Sequence, residues 1–187
     1  GLPGETKESF TNGLRDLIDA ETDRLTIYTL MMLYGTEFKD PKYRANFKMK
    51  GKYRIVPLNI GEYDGTKIFD YEEVCVENED MSFNDYIEIR KLALLIESII
   101  NNHPFEAFFR YAVIMGTSRF NSLLMILNNM HKAPKKIIDI FNGFERESKE
   151  ELWNSETEMI KYYQKDENYQ KLIRGDAGGN LIYKYKS

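Results

Sequence analysis

Phe10, Leu14, Leu17 and Ile18 fall at i, i+4, i+7 and i+8 and predict an amphipathic helix over residues 5–20. Leu25–Leu33 (LTIYTLMML) is a nearly continuous apolar run, which suits a strand buried on both faces of a parallel sheet. A helix followed by such a strand is half of a βαβ repeat, so a further strand is expected to end just before Leu2. Residues 36–52 are polar and irregular. Tyr53–Ile60 and Thr66–Glu77 are strand-like and flank an Asp64-Gly65 turn signal, so a hairpin is expected, with Pro57 marking an edge strand.

From Met81 the period changes to helical. Ser82 and Asp85 frame a capping box ahead of a broad apolar stripe that runs to about Asn102. Phe105, Phe108, Phe109, Ala112 and Val113 predict the next core-facing helix, closed by Gly116. Phe120, Leu123, Leu124, Leu127 and Met130 predict another, and Pro134 opens one with Ile137, Ile138, Phe141 and Phe144 inward. Residues 145–151 (ERESKEE) read as a solvated helix face, and Ser155 with Glu158 as a second capping box. Gly175–Gly179 is a glycine-rich break before a short tail. The expected class is α+β: a partial α/β (TIM-like) barrel piece over 1–52, a hairpin connector over 53–80 and a helical domain over 81–187.

Composition narrows the function classes. Twenty-six Lys+Arg face 30 Asp+Glu, giving a net charge of −4, which opposes a nucleic-acid coat. No apolar run approaches the roughly 20 residues that span a bilayer, and no signal peptide opens the chain, so a cytoplasmic protein with neither membrane nor nucleic-acid partner is expected. The chain starts at Gly1 without an initiator Met, which points to processing, excision from something longer or a tag remnant. One Cys excludes an internal disulfide and a four-thiolate site. Cys75 sits among Glu72, Glu73 and Glu77, an acidic setting that raises a thiol pKa, so packing is its expected role. No metal pair is expected at His103 or His131. The pairs Glu72-Glu73, Glu150-Glu151 and Glu156/Glu158 read as solvated.

Two glycine-bearing loops remain, Gly1–Gly4 ahead of the first helix and Gly35-Thr36 after the apolar run. Ligands of parallel α/β folds bind at the carboxyl ends of strands, where such loops converge. GLPGET at 1–6 resembles the loop after the fifth barrel strand of radical S-adenosylmethionine enzymes, and LMMLYGTEF at 30–38 their sixth strand and turn. Residues 53–77, 81–94 (MSFNDYIEIRKLAL) and 175–186 (GDAGGNLIYKYK) resemble the C-terminal region of the branch with an N-terminal cobalamin-binding domain. The resemblance implies that this chain is the C-terminal part of such an enzyme. The parent would use S-adenosylmethionine, a 4Fe-4S cluster and cobalamin, usually for methylation.

The CxxxCxxC cluster loop would precede Gly1, so this chain alone is expected to be inactive and to retain none of the three. Gly1, Gly4, Glu5, Gly35 and Thr36 are carried over as lining the S-adenosylmethionine pocket. The implied partners are the N-terminal remainder of the parent, or a second copy covering the open sheet edge. The alternative is a helical scaffold that docks a partner without catalysis, which predicts a closed core with no orphan strand edge.

Overall fold

The computed structural model describes residues 1–186. The architecture is α+β. Helix α1 (Lys7–Asp19) is capped by Thr6, whose hydroxyl accepts the Ser9 N–H. After α2 (Pro41–Asn46) come the antiparallel strands β1 (Lys50–Tyr63) and β2 (Thr66–Glu77), joined at the expected Asp64-Gly65 turn. Both turn residues have positive φ, as a type I′ hairpin requires. Pro57 has no N–H for the ladder, and the strands slip in register between Ile55 and Ile60, where Leu58 takes φ 70°.

Helices α3 (Phe83–Leu95), α4 (Glu106–Ile114), α5 (Arg119–Asn128), α6 (Lys135–Glu150), α7 (Glu156–Tyr163), α8 (Asp166–Ile173) and α9 (Leu181–Lys186) follow. Both halves of the Ser82/Asp85 capping box form at the start of α3. At Ser155 one half forms, with the hydroxyl accepting the Glu158 N–H. Gly116 ends the α4 segment at φ 84°. Within the short tail, Leu181–Lys186 is helical, and Leu181 packs into Leu94 and Phe144.

Two apolar cores dominate. Leu14 and Ile18 of α1 join Leu92, Leu95, Phe109, Phe120 and Leu123 in the helical core. Ile55 and Phe69 of the hairpin bury against Met159, Tyr163, Tyr169 and Leu172. The apolar stripe of α4 divides differently from expectation. Phe109 is buried, whereas Phe105, Phe108 and Val113 are about half exposed. The short α4 offers the core one line of contact, which Phe109 fills.

The run Leu25–Leu33 is extended but is not the doubly buried parallel strand expected. It makes one antiparallel bridge, Met31 to Val74, with hydrogen bonds from Cys75 N to Leu30 O (2.9 Å) and from Met32 N to Glu73 O (2.8 Å). Its burial alternates: Leu25, Ile27 and Met32 turn inward, while Tyr28 is 82% exposed. On the far edge of the hairpin Tyr53 exchanges two backbone hydrogen bonds with Trp153 (2.9 and 2.8 Å).

Asn101 anchors the start of the extended run. A five-residue π turn, Ile96–Ile100, closes α3 and presents Asn101 at 1% exposure. Its amide accepts the Leu25 N–H (3.0 Å) and donates to the Leu25 carbonyl (2.9 Å) and to Glu97 (2.6 Å). Replacing Asn101 with Ala leaves the part-buried N–H and carbonyl of Leu25 unpaired, at a cost of about 2 kcal/mol. Denaturant unfolding should show that loss, together with faster amide exchange at Leu25. Wild-type exchange at Leu25 would refute the anchor.

A second prediction concerns acid. The Arg119 guanidinium, donating to Glu106 at 2.6 Å, holds that carboxyl well down, at about 2, with Arg110 adding to the effect. A depressed folded pKa stabilises above the unfolded value of roughly 4.3. That contribution is lost as pH falls from there toward about 2. Arg119→Met should therefore flatten the acid limb of a stability–pH curve over this window.

Candidate functional site

The two predicted loops are formed, each at a glycine with positive φ: Gly4 at 83° and Gly35 at 82°. The Gly1–Glu5 loop leans on the turn that follows β2. Gly1 O accepts from Asn78 Nδ2 (3.2 Å), and Gly4 N–H donates to Asp80 Oδ2 (2.7 Å). Glu5 closes the loop by its N–H to Leu2 O (3.1 Å). Thr36 donates its hydroxyl to Leu33 O (2.7 Å) and precedes the single 3₁₀ turn at Glu37–Lys39.

The Gly35-Thr36 turn leans on a different group of residues. Lys39 reaches back over the Tyr34 ring and pairs with Glu73. Gly1 borders a small cavity with Phe10, Ile27 and Tyr86, and neither Gly35 nor Thr36 lines it. The structure therefore brings Gly1, Gly4 and Glu5 together and Gly35 and Thr36 together, and the cavity beside Gly1 is lined by neither Gly35 nor Thr36.

Residues present do not fit an iron–sulfur cluster. Cys75 is the one thiol, buried and donating to Glu77 O at 3.4 Å, and burial pushes its pKa up. Among the described residues no three His, Cys, Asp or Glu side chains converge. Nor is the Gly4 amide a ready anion cradle, because the Asp80 carboxylate already occupies it and repels a second negative group. His103 Nδ1 lies 3.4 Å from Glu106, a carboxylate three residues on that the sequence reading overlooked.

Of the acidic pairs read as solvated, Glu72-Glu73 is withdrawn from solvent, whereas Glu150 and Glu158 are exposed as expected. Glu73 is 7% exposed and is held by Lys39 and by both terminal nitrogens of Arg44, the closer at 2.8 Å. It lies over Gly51, where an added Cβ would sit 2.0 Å from Glu73 Oε1. Glu156 accepts the Tyr71 hydroxyl (2.6 Å), which pushes that phenol up to about 12.

The segment 145–151 is solvated only in part: Arg146, Lys149 and Glu150 are exposed and the other residues are not. Ser148 is fully buried and Glu145 pairs with Lys91 and Lys149. Glu151 lies between Arg90 (3.1 Å) and Arg54 (3.5 Å), and burial pushes its carboxyl pKa up against both guanidinium charges. Arg54 also donates to Glu72 at 2.7 Å. These three residues border a cavity of about 290 Å³ between the extended run and the start of α9. Sequence spacing could not find them, because Arg54 and Glu151 stand 97 residues apart.

Gly51→Ala forces Glu73 out of its arginine–lysine clamp. Breaking a buried pair by displacing one partner costs about 3 kcal/mol or more. The expected thermal melt is several degrees lower, and an unchanged melting temperature would refute the clamp. No protein-family model matches this chain, and no curated protein matches it either.

Proposed function

We propose that this chain is the C-terminal part of a radical S-adenosylmethionine enzyme of the cobalamin-binding branch. In this reading residues 1–52 complete the later part of the barrel and residues 81–187 cap it. The observation that carries the reading is the open edge at Thr26–Thr29. Among the described residues the backbone N–H and C=O groups of these four positions have no hydrogen-bond partner, although the chain there is extended. An extended segment with a bare edge is a place for another strand. Gly1 shares a cavity wall with Ile27, Tyr28 and Thr29 beside that edge, so a segment preceding Gly1 would be placed to pair with it. The same bare edge counts against the closed core of a partner-docking scaffold.

The cofactors would supply the radical and methyl-transfer chemistry. This chain's own part is to hold the Gly4 and Gly35 turns rigid and to shield the site from water with its helices. No helix among the described residues is long and apolar enough to cross a membrane.

The deciding experiment is anaerobic reconstitution of the full-length parent with iron, sulfide, S-adenosylmethionine and reductant. Formation of 5′-deoxyadenosine is expected, together with a CxxxCxxC loop upstream of Gly1. A parent that lacks the loop, or yields no 5′-deoxyadenosine, overturns the assignment. Gly4→Val in that protein strains a left-handed position by roughly 1–2 kcal/mol. It should weaken S-adenosylmethionine binding by about tenfold, read by equilibrium dialysis.

A further inference from the structure

The cavity beside Arg54, Arg90 and Glu151 has unused hydrogen-bonding capacity. Arg54 commits Nε to Glu72 (2.7 Å) and one terminal nitrogen to Glu151 (3.5 Å). Arg90 commits Nε to the buried Ser148 hydroxyl (3.2 Å) and Nη2 to Glu151 (3.1 Å). Both contacts with Glu151 fall on the same oxygen, Oε1. Arg54 Nη2, Arg90 Nη1 and Glu151 Oε2 are left without a protein partner among the described residues.

Arg90 and Ala93 also line the neighbouring small cavity that Tyr86 borders. The Tyr86 hydroxyl is fully buried and has no partner. A buried donor without an acceptor is uncommon in a folded protein and calls for a ligand or water. The charged side chains that line the cavity balance, Arg54 and Arg90 against Glu97 and Glu151, so the case for an anion rests on the free N–H groups.

We infer that this cavity binds a small oxyanion, a carboxylate or phosphate group, seated on Arg54 Nη2 and Arg90 Nη1, the terminal nitrogens that Glu151 leaves free. One free terminal nitrogen from each guanidinium gives two charged donors for the two oxygens of such a group. A volume of about 290 Å³ admits a group of metabolite size. Burial raises the Glu151 carboxyl pKa, and Arg90 and Arg54 oppose that shift. The inference stands on this chain's own cavity and needs neither cluster nor S-adenosylmethionine.

The test titrates inorganic phosphate and malonate, separately, into the intact chain. The readouts are calorimetric heat and the Nε–H resonances of Arg54 and Arg90. Saturable binding with shifts at both arginines is expected, and the better of the two probes identifies the anion class. Arg90→Lys keeps the charge but removes the fork, and should weaken binding about tenfold. Glu151→Gln removes the competing charge and should tighten it several-fold. If neither anion moves the two arginine signals, or if the shifts are linear and spread over surface lysines, the site does not exist. If Glu151→Gln does not fold, the Arg90→Lys titration decides alone: unchanged affinity overturns the proposal. No reductant or cluster enters the assay, so its failure leaves the radical assignment untouched.

Discussion

One half-buried carboxylate connects the two halves of the molecule. Glu151 stands just beyond α6 and meets Arg90 of α3 and Arg54 of β1. Trp153, two residues on, forms the backbone bridge to Tyr53 in the same strand. Ion pairs taken out of water seldom add net stability, because desolvation offsets the attraction. Their effect is directional: an uncompensated buried charge is so costly that only one docking of hairpin on helices satisfies all three groups. The apolar surfaces of Phe69, Tyr163 and Tyr169 supply the driving force for that docking, and the ion cluster selects its register.

The same logic holds at smaller scale. Asn101 ties the Leu25 backbone to the end of α3, and Glu73 ties α2 and the Glu37–Lys39 turn to β2. Each uses one buried polar side chain to hold a stretch with little regular hydrogen bonding of its own. The loops at Gly4 and Gly35 are therefore mounted on polar clamps rather than on a continuous sheet.

How far the sequence revealed this depends on whether a feature is local. The Ser82 cap, the Asp64-Gly65 turn and the Gly116 stop each depend on residues within a few positions, and all were legible. The run Leu25–Leu33 was misjudged because continuous apolarity suggests burial on two faces, whereas Thr26 and Tyr28 tolerate water and only alternate positions turn inward. The glycine loops were found, but their separation was not, because it follows from how the Gly1–Glu5 loop leans on Asn78 and Asp80 after β2 while Lys39 reaches Glu73 within the strand. Glu73 and Glu151 were missed for the same physical reason. A carboxylate in a charged stretch looks solvated until a distant guanidinium is folded onto it.

Pro57 and the left-handed Leu58 interrupt the hairpin between Ile55 and Ile60. Beyond the Trp153 bridge, β1 therefore presents no long straight edge to a neighbouring molecule. Leu58, 95% exposed, sits at the crest of a bulge where a flat partner strand cannot lie against it. In a crowded solution this irregularity guards the hairpin against edge-to-edge polymerisation, leaving the bare stretch at Thr26–Thr29 as the place where another chain segment can add.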